Sequence, residues 1–415
     1  MISRNFLKCP GCGENFVARI GTDATVQTKF YLPCPYCSLP IRARMSGEDL
    51  DDHRVRFECE KISEVDVSED TLVITVDPFV PSKYNADSHD GLGAFPTLTV
   101  RQLLKNEEHS AYYHDRSMAA SAIEGSWPST RMIFEYYLQQ DWAMFNSTVK
   151  SALEISRPGE TAHERSTIAY QSLAFVAFAV TGSANRRSVR LLERFNSKHT
   201  AAIKKAPYVR FLRAQRDPTA QLERETFDMV ASFIADYESW SMGRIARHTS
   251  DEGEEALMKL TLFRDEFSLL RDLYQQGFEV ICKSLWILVS AQNTAIRGDP
   301  NGFGSAHPVE VPPKSHVHTM AQFARLPNSH KIAYVSQVPG WEPLRDFLNS
   351  RRRNTIGHAS ARHDLRTGQI FSDLDPTGIT YLSFTREVFG VFEALGVTSQ
   401  ILRAARITSS PDFVG

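Results

Sequence analysis

Two CxxC pairs near the start of the chain, Cys9-Pro10-Gly11-Cys12 and Cys34-Pro35-Tyr36-Cys37, constrain the fold more than any other feature. They share their spacing and their prolines, and 21 residues separate them. A CxxC turn offers two thiolates from one tight loop, and two such turns complete the tetrahedral sulfur set that zinc favours. Glycine at positions 11 and 13 lets the first turn aim backbone N–H groups at the sulfurs. The expectation is a zinc ribbon over residues 6–42, with a structural Zn2+ on Cys9, Cys12, Cys34 and Cys37. Four cysteines leave no open coordination position, so no catalytic metal is expected there. A nucleic-acid or protein surface on the ribbon stays open. Thioredoxin-like exchange would need a βαβ setting, which the surrounding pattern lacks. Cys59 and Cys282 stand alone and read as small buried side chains.

The 415 residues exceed one ordinary core and imply two or three domains. A hydrophobic share of 42% and a charged share of 23% describe a globular, soluble chain. The longest strongly apolar run, Leu173 to Val180, is too short to span a bilayer, so no membrane association is expected. The first residues lack a basic segment followed by an apolar run, and clustered CxxC pairs suit a reducing compartment, so a cytoplasmic location is expected. A net charge of −2 neither supports nor excludes a nucleic-acid partner.

The pattern divides the chain into residues 1–45, the ribbon; 46–97, a β-hairpin and linker; 98–250, a helical region of unassigned role; and 251–415, a helical domain. The hairpin is read from Arg54–Cys59 and Thr71–Val76 on either side of a polar turn, and the linker from the proline- and glycine-bearing stretch 77–96. A helix is expected from Glu254 to Ala295, where Phe263, Phe267, Leu270, Tyr274, Phe278, Ile281, Leu285 and Leu288 recur at steps of 4, 3, 4, 4, 3, 4 and 3. Such a stripe is the mark of a bundle core. Gly298 to Pro313 reads as a loop, Leu365 to Thr380 as a β-like insertion, and Tyr381 to Ala405 as the last helix. The fold class is therefore mainly α with a small N-terminal β ribbon.

The second informative stretch runs from Leu344 to Ala359 and holds Arg351-Arg352-Arg353-Asn354-Thr355-Ile356-Gly357-His358 on an expected helix. At about 100° per residue, Leu348, Arg351, Thr355 and His358 lie within about 60° of Leu344, and Asn354 neighbours His358. Arg353 lies about 140° from His358 on an ideal helix, so the two converge only by side-chain reach, unwinding at Gly357 or pairing across a dimer axis. Histidine exchanges protons near neutral pH and arginine clamps phosphate oxygens. RNA brings its own nucleophile, the 2′-hydroxyl. The plain alternative is a solvated basic face beside an ordinary histidine.

The run Arg353-Asn354-Thr355-Ile356-Gly357-His358 resembles the Arg-Asn-x3-His signature of HEPN domains, with a long helix before it and an apolar helix closing the chain. The resemblance covers residues 254–406 in architecture and 341–362 in residues. It implies an all-α domain that forms a homodimer and cuts RNA without a metal, in antiviral defence, abortive infection or as a toxin. It assigns His358 as general acid or base, Arg353 to the scissile phosphate, and Asn354 to orienting the histidine or the phosphate. Arg351 and Arg352 are further substrate-binding candidates, because three consecutive arginines leave the working one open. Glu279 is a candidate for the acidic residue some members carry on an earlier helix. A phage or host protein could act as trigger.

The rival from another class is a non-catalytic scaffold whose ribbon binds nucleic acid or a partner protein. A DNA-binding regulator would need a recognition helix that the pattern does not offer. His307, His316, His318 and His330 lack the carboxylates of a second metal site. No GxxxxGK[ST], no GxGxxG after a strand and no GxSxG occurs, which sets aside P-loop motors, dehydrogenases and α/β-hydrolases.

Overall fold

A computed structural model describes residues 2–21, 28–45, 55–82, 104, 106–155, 159–182, 186–249, 251–305, 307–338, 340–342, 344–357, 361–411 and 413. Seven strands come first: β1 (Ile2–Lys8), β2 (Asn15–Gly21), β3 (Thr28–Pro33), β4 (Pro40–Met45), β5 (Val55–Phe57), β6 (Glu60–Lys61) and β7 (Val73–Val76). Helices follow as α1 (Asn106–Ser121), α2 (Trp127–Gln139), α3 (Trp142–Leu153), α4 (Ala162–Thr181), α5 (Arg186–Ile203), α6 (Ala206–Ala214), α7 (Arg216–Ala235) and α8 (Tyr237–Trp240). The chain continues through α9 (Asp251–Met258), α10 (Phe267–Arg297), α11 (Met320–Ala324), α12 (Asn328–Ser336), α13 (Leu344–Phe347) and α14 (Ser350–Gly357). It closes with β8 (Arg362–Asp364), β9 (Gln369–Ser372), β10 (Asp375–Thr380) and α15 (Tyr381–Ser409). The fold is mainly α with a small N-terminal β region, as the periodicity implies.

Two compact units emerge, each assembled from three stretches: Met1–Tyr112 with Asp236–Asp272 and Asn354–Phe389, and Tyr113–Ala235 with Leu273–Arg353 and Gly390–Gly415. In the first, one sheet runs in the order β6-β1-β2-β7 and a second in the order β3-β4-β5. Alternation along the strands drives this: Ile41, Ala43 and Met45 of β4 are buried while Arg42 and Arg44 face out. Phe16, Ile20, Phe30, Leu32, Val55 and Val76 meet in one core. The two runs read as one hairpin are both strands, but they do not pair with each other. β5 joins β4 and β7 lies parallel to β2, where the Val17 N–H donates to the Leu72 carbonyl at 2.9 Å. Most of the expected linker lies outside the described residues.

The helix expected from Glu254 to Ala295 is instead two helices, α9 and α10, with an extended strip over 259–266 between them. Thr261 and Ser82 exchange both backbone hydrogen bonds at 2.9 Å, and Phe30 forms an isolated bridge with Arg264. Tertiary pairing with β3 thus overrides a helical spacing that no glycine or proline interrupts over 259–266. Phe263 leaves the helical stripe and packs edge-on against Tyr31, with centroids 5.4 Å apart. The other stripe residues, Phe267 to Leu288, are all buried on α10. Arg264 is only 2% exposed; its Nε donates to Glu266 Oε2 at 2.7 Å and its Nη2 to Oε1 at 3.1 Å. The bidentate pair offsets the cost of taking both charges out of water.

In the second unit, Phe134 stacks on Phe227 at 4.6 Å between α2 and α7. A Cβ on Gly277 would come within 2.6 Å of Val391, so glycine lets α10 approach α15 closely. Lys205 caps the far end of α10, its Nζ donating to the Thr294 and Ala295 carbonyls at 2.9 and 3.2 Å. α15 is the one described helix long and apolar enough to cross a membrane, and 83% of its most apolar window is buried inside the protein. Glu223, 2% exposed, accepts from Tyr170 Oη at 2.8 Å and meets Arg406 Nε at 3.2 Å. Burial outweighs the pull of Arg406 and raises the Glu223 carboxyl to about 7.

Arg264→Ala leaves the largely buried Glu266 without its guanidinium partner and is expected to cost about 3 kcal/mol of unfolding free energy in urea titrations. For Glu223 the folded pKa exceeds the unfolded one, so its contribution is fully present below the unfolded value and lost as pH rises towards 7. Wild type is therefore expected to lose stability relative to Glu223→Gln between pH 5 and 7, by on the order of 1–3 kcal/mol in denaturant titrations.

Candidate functional site

The two knuckles form by one local recipe. In the first, the Gly13 N–H donates to the Cys9 carbonyl at 2.9 Å and the Cys9 N–H to the Glu14 carbonyl at 2.9 Å. In the second, the Ser38 N–H donates to the Cys34 carbonyl and the Cys34 N–H to the Leu39 carbonyl, again at 2.9 Å. Both turns need a left-handed residue after the second cysteine: Gly13 at φ 78° and Ser38 at φ 58°. β1 and β2 flank the first turn, and β3 and β4 flank the second.

These turns bring the sulfurs of Cys9, Cys12, Cys34 and Cys37 within 4.8 Å of one another, an arrangement able to hold a metal ion. Cys9 and Cys34 are buried, and Cys12 and Cys37 exposed. Cys9 Sγ lies 3.7 Å from Cys37 Sγ, and Cys12 Sγ 3.8 Å from Cys34 Sγ. Burial opposes ionisation of Cys9, but hydrogen bonds from the backbone of Cys12 and Gly11 outweigh it and bring the thiol to about 7. Cys59 is half-buried and its thiol is pushed up to about 11, chiefly by burial. Cys282 is buried in α10, as its place in the stripe predicts.

The basic motif is not one helix continued from Leu344. α13 ends at Phe347 and α14 begins at Ser350, because the Asn349 side chain caps the new helix by accepting the Arg352 N–H at 2.9 Å. Angles counted from Leu344 therefore do not carry through to Arg353. Arg351 and Asn354 are exposed, Arg352 and Arg353 half-buried, and Thr355 and Ile356 buried. His358 lies outside the described residues.

Arg353 Nη2 donates to Glu279 Oε1, and Asn328 Nδ2 donates to Glu279 Oε2 at 2.6 Å. Glu279 on α10 therefore meets the motif arginine, while Asn328 and its helix α12 were not legible in the periodicity. Beside them Lys331 is held below the usual lysine range by burial, against the opposing pull of Cys282 and Glu279. The Arg353 side chain is anchored there and remains 35% exposed, with its Nε buried.

The loop histidines do gather: His307 stacks on His316 at 3.9 Å and meets His318 edge-on at 5.7 Å. His307 Nδ1 is hydrogen-bonded to Tyr334 Oη at 2.9 Å and His316 Nε2 to the Val311 carbonyl at 3.2 Å. Among the described residues, the cysteine quartet is the group whose ligand atoms converge for a metal.

Comparison with protein-family models, curated proteins and solved structures finds no match to this chain. Metal analysis of the purified protein is expected to find one bound ion per chain in wild type and none in Cys34→Ser. The melting temperature of wild type is expected to fall on chelation, because metal binding and folding of such a small β unit are coupled.

Proposed function

We propose that the chain is a metal-independent endoribonuclease of the HEPN type carrying a structural zinc ribbon. The observation that supports it most is the anchoring of Arg353 by Glu279, itself held by Asn328, on the helix leading to His358. A fixed and partly exposed guanidinium is what a phosphate clamp needs, since positioning and charge stabilisation supply most of the catalysis in phosphoryl transfer. His358 removes the proton from the RNA 2′-hydroxyl. The 2′-oxygen then bonds to phosphorus as the bond to the 5′-oxygen breaks, and that oxygen takes up a proton. The products are a 2′,3′-cyclic phosphate and a 5′-hydroxyl. Arg353 holds the non-bridging oxygens, Asn354 orients the histidine or the phosphate, and Arg351 and Arg352 serve neighbouring phosphates. Two copies pair to present two motifs, in an antiviral, abortive-infection or toxin role released by a phage or host trigger.

Zinc is the metal that fits the cysteine quartet. Sulfurs at about 2.3 Å from a tetrahedral zinc lie about 3.8 Å apart, close to the spacings found. A second reading, a scaffold that binds RNA or a partner without cutting it, draws on the same ion pair: Glu279 and Arg353 also suffice as a structural contact between α10 and α14.

The test is incubation of folded wild type and His358→Ala with mixed RNA in EDTA. Cleavage by wild type and not by the variant is expected; equal cleavage by both removes His358 from the reaction, and RNA bound but uncut by wild type favours the scaffold. Glu279→Ala is expected to slow cleavage while changing stability by less than about 1 kcal/mol, because its partly exposed ion pair contributes little to folding.

A further inference from the structure

The second unit holds a cleft of about 420 Å³ whose lining combines aromatic side chains with arginines. Its size is within the range of small-molecule sites, about 300–1,000 Å³. Tyr137, Trp142 and Phe413 supply the aromatic side chains. Arg165, whose guanidinium sits 4.4 Å above the Trp142 ring, fixes one of them. Arg213 holds the backbone at Phe413 by donating from Nη2 to its carbonyl at 3.2 Å.

Cations enter from separate elements. Arg216 opens α7 and Arg406 belongs to α15, and both line the cleft. Arg406 is held from behind by the buried Glu223, so its charge is positioned rather than free to swing away. The N-terminus of the 20-residue helix α4 also borders the cleft through Thr161 and His163. Its first turn is set by a capping box, with Thr161 Oγ1 accepting the Glu164 N–H at 3.1 Å and Glu164 Oε2 accepting the Thr161 N–H at 2.9 Å. Helix N-termini and arginines together favour a phosphate. No carboxylate is among the lining residues; the neighbouring Glu164 and Glu223 are engaged by the helix cap and by Arg406.

We propose that this cleft binds a nucleoside monophosphate, with the base against Tyr137, Trp142 and Phe413 and the phosphate between Arg216, Arg406 and the start of α4. Aromatic faces accept any base and arginines grip the phosphate, so the two halves of the cleft match the two halves of one ligand. The proposal stands apart from RNA cleavage, since none of its residues belongs to α14 or contacts Glu279.

The test titrates full-length protein with 5′-AMP, 5′-GMP, 5′-CMP and 5′-UMP, following Trp fluorescence and calorimetric heat, beside adenosine and inorganic phosphate alone. At least one nucleotide is expected to bind saturably, and at least tenfold more tightly than adenosine or phosphate. Arg216→Ala, an exposed change, is expected to weaken that binding about tenfold or more while leaving the melting curve intact, as one charge-assisted contact is removed. Arg210→Ala, at an exposed arginine outside the cleft, is expected to leave affinity unchanged. Absence of binding by all four nucleotides overturns the proposal, as does equal affinity in wild type and Arg216→Ala.

Discussion

The extended strip over 259–266 organises the first unit. It breaks what the spacing offers as one long helix and lays the chain beside β3, the strand that runs into Cys34. The Asp265 N–H donates to the Lys29 carbonyl and the Tyr31 N–H to the Phe263 carbonyl, at 3.0 and 3.1 Å. Under this ladder the buried Arg264–Glu266 pair closes on itself, and Glu266 also accepts the Lys29 N–H at 3.2 Å. A charge buried without such partners costs several kcal/mol, so the strip, the strand and the pair form together. The second knuckle inherits its position from that arrangement.

The candidate site follows a related logic near the middle of α10. Glu279 projects from a long, well-buried helix, and the arginine it holds belongs to a short helix restarted by the Asn349 cap. Rigid support from a buried element, with the working group left partly in water, is the usual division of labour for groups that meet a phosphate. The restart at Ser350 also sets the direction of α14, independently of α13.

Much of this is legible in the amino-acid sequence alone. The cysteine spacing pointed to the sulfur cluster, because the geometry of a CxxC turn is local and depends on few neighbours. The stripe from Phe267 to Leu288 and the final helix followed from 3.6-residue periodicity, as long buried helices do. The break at 259–266 was not legible, since Leu260-Thr261-Leu262-Phe263 keeps a helical spacing and only its partners β3 and Ser82 make it extended. The pairing of β7 with β2 was hidden for the same reason, as strand partners far apart in sequence leave no periodic mark. Glu279 is a candidate only through the family resemblance, and nothing in the periodicity points to Asn328, because short helices such as α11 and α12 carry too few turns to show a stripe.

The central claim is that RNA is cut by its own 2′-oxygen with help from the α14 motif. Its most direct measurement is the end chemistry of cleaved RNA in EDTA, using one oligonucleotide with native riboses and the same sequence bearing 2′-O-methyl riboses. The account requires 2′,3′-cyclic phosphate and 5′-hydroxyl ends from the native strand and no cleavage of the methylated one. Ends bearing 3′-hydroxyl and 5′-phosphate, or cleavage of the methylated strand, would contradict it.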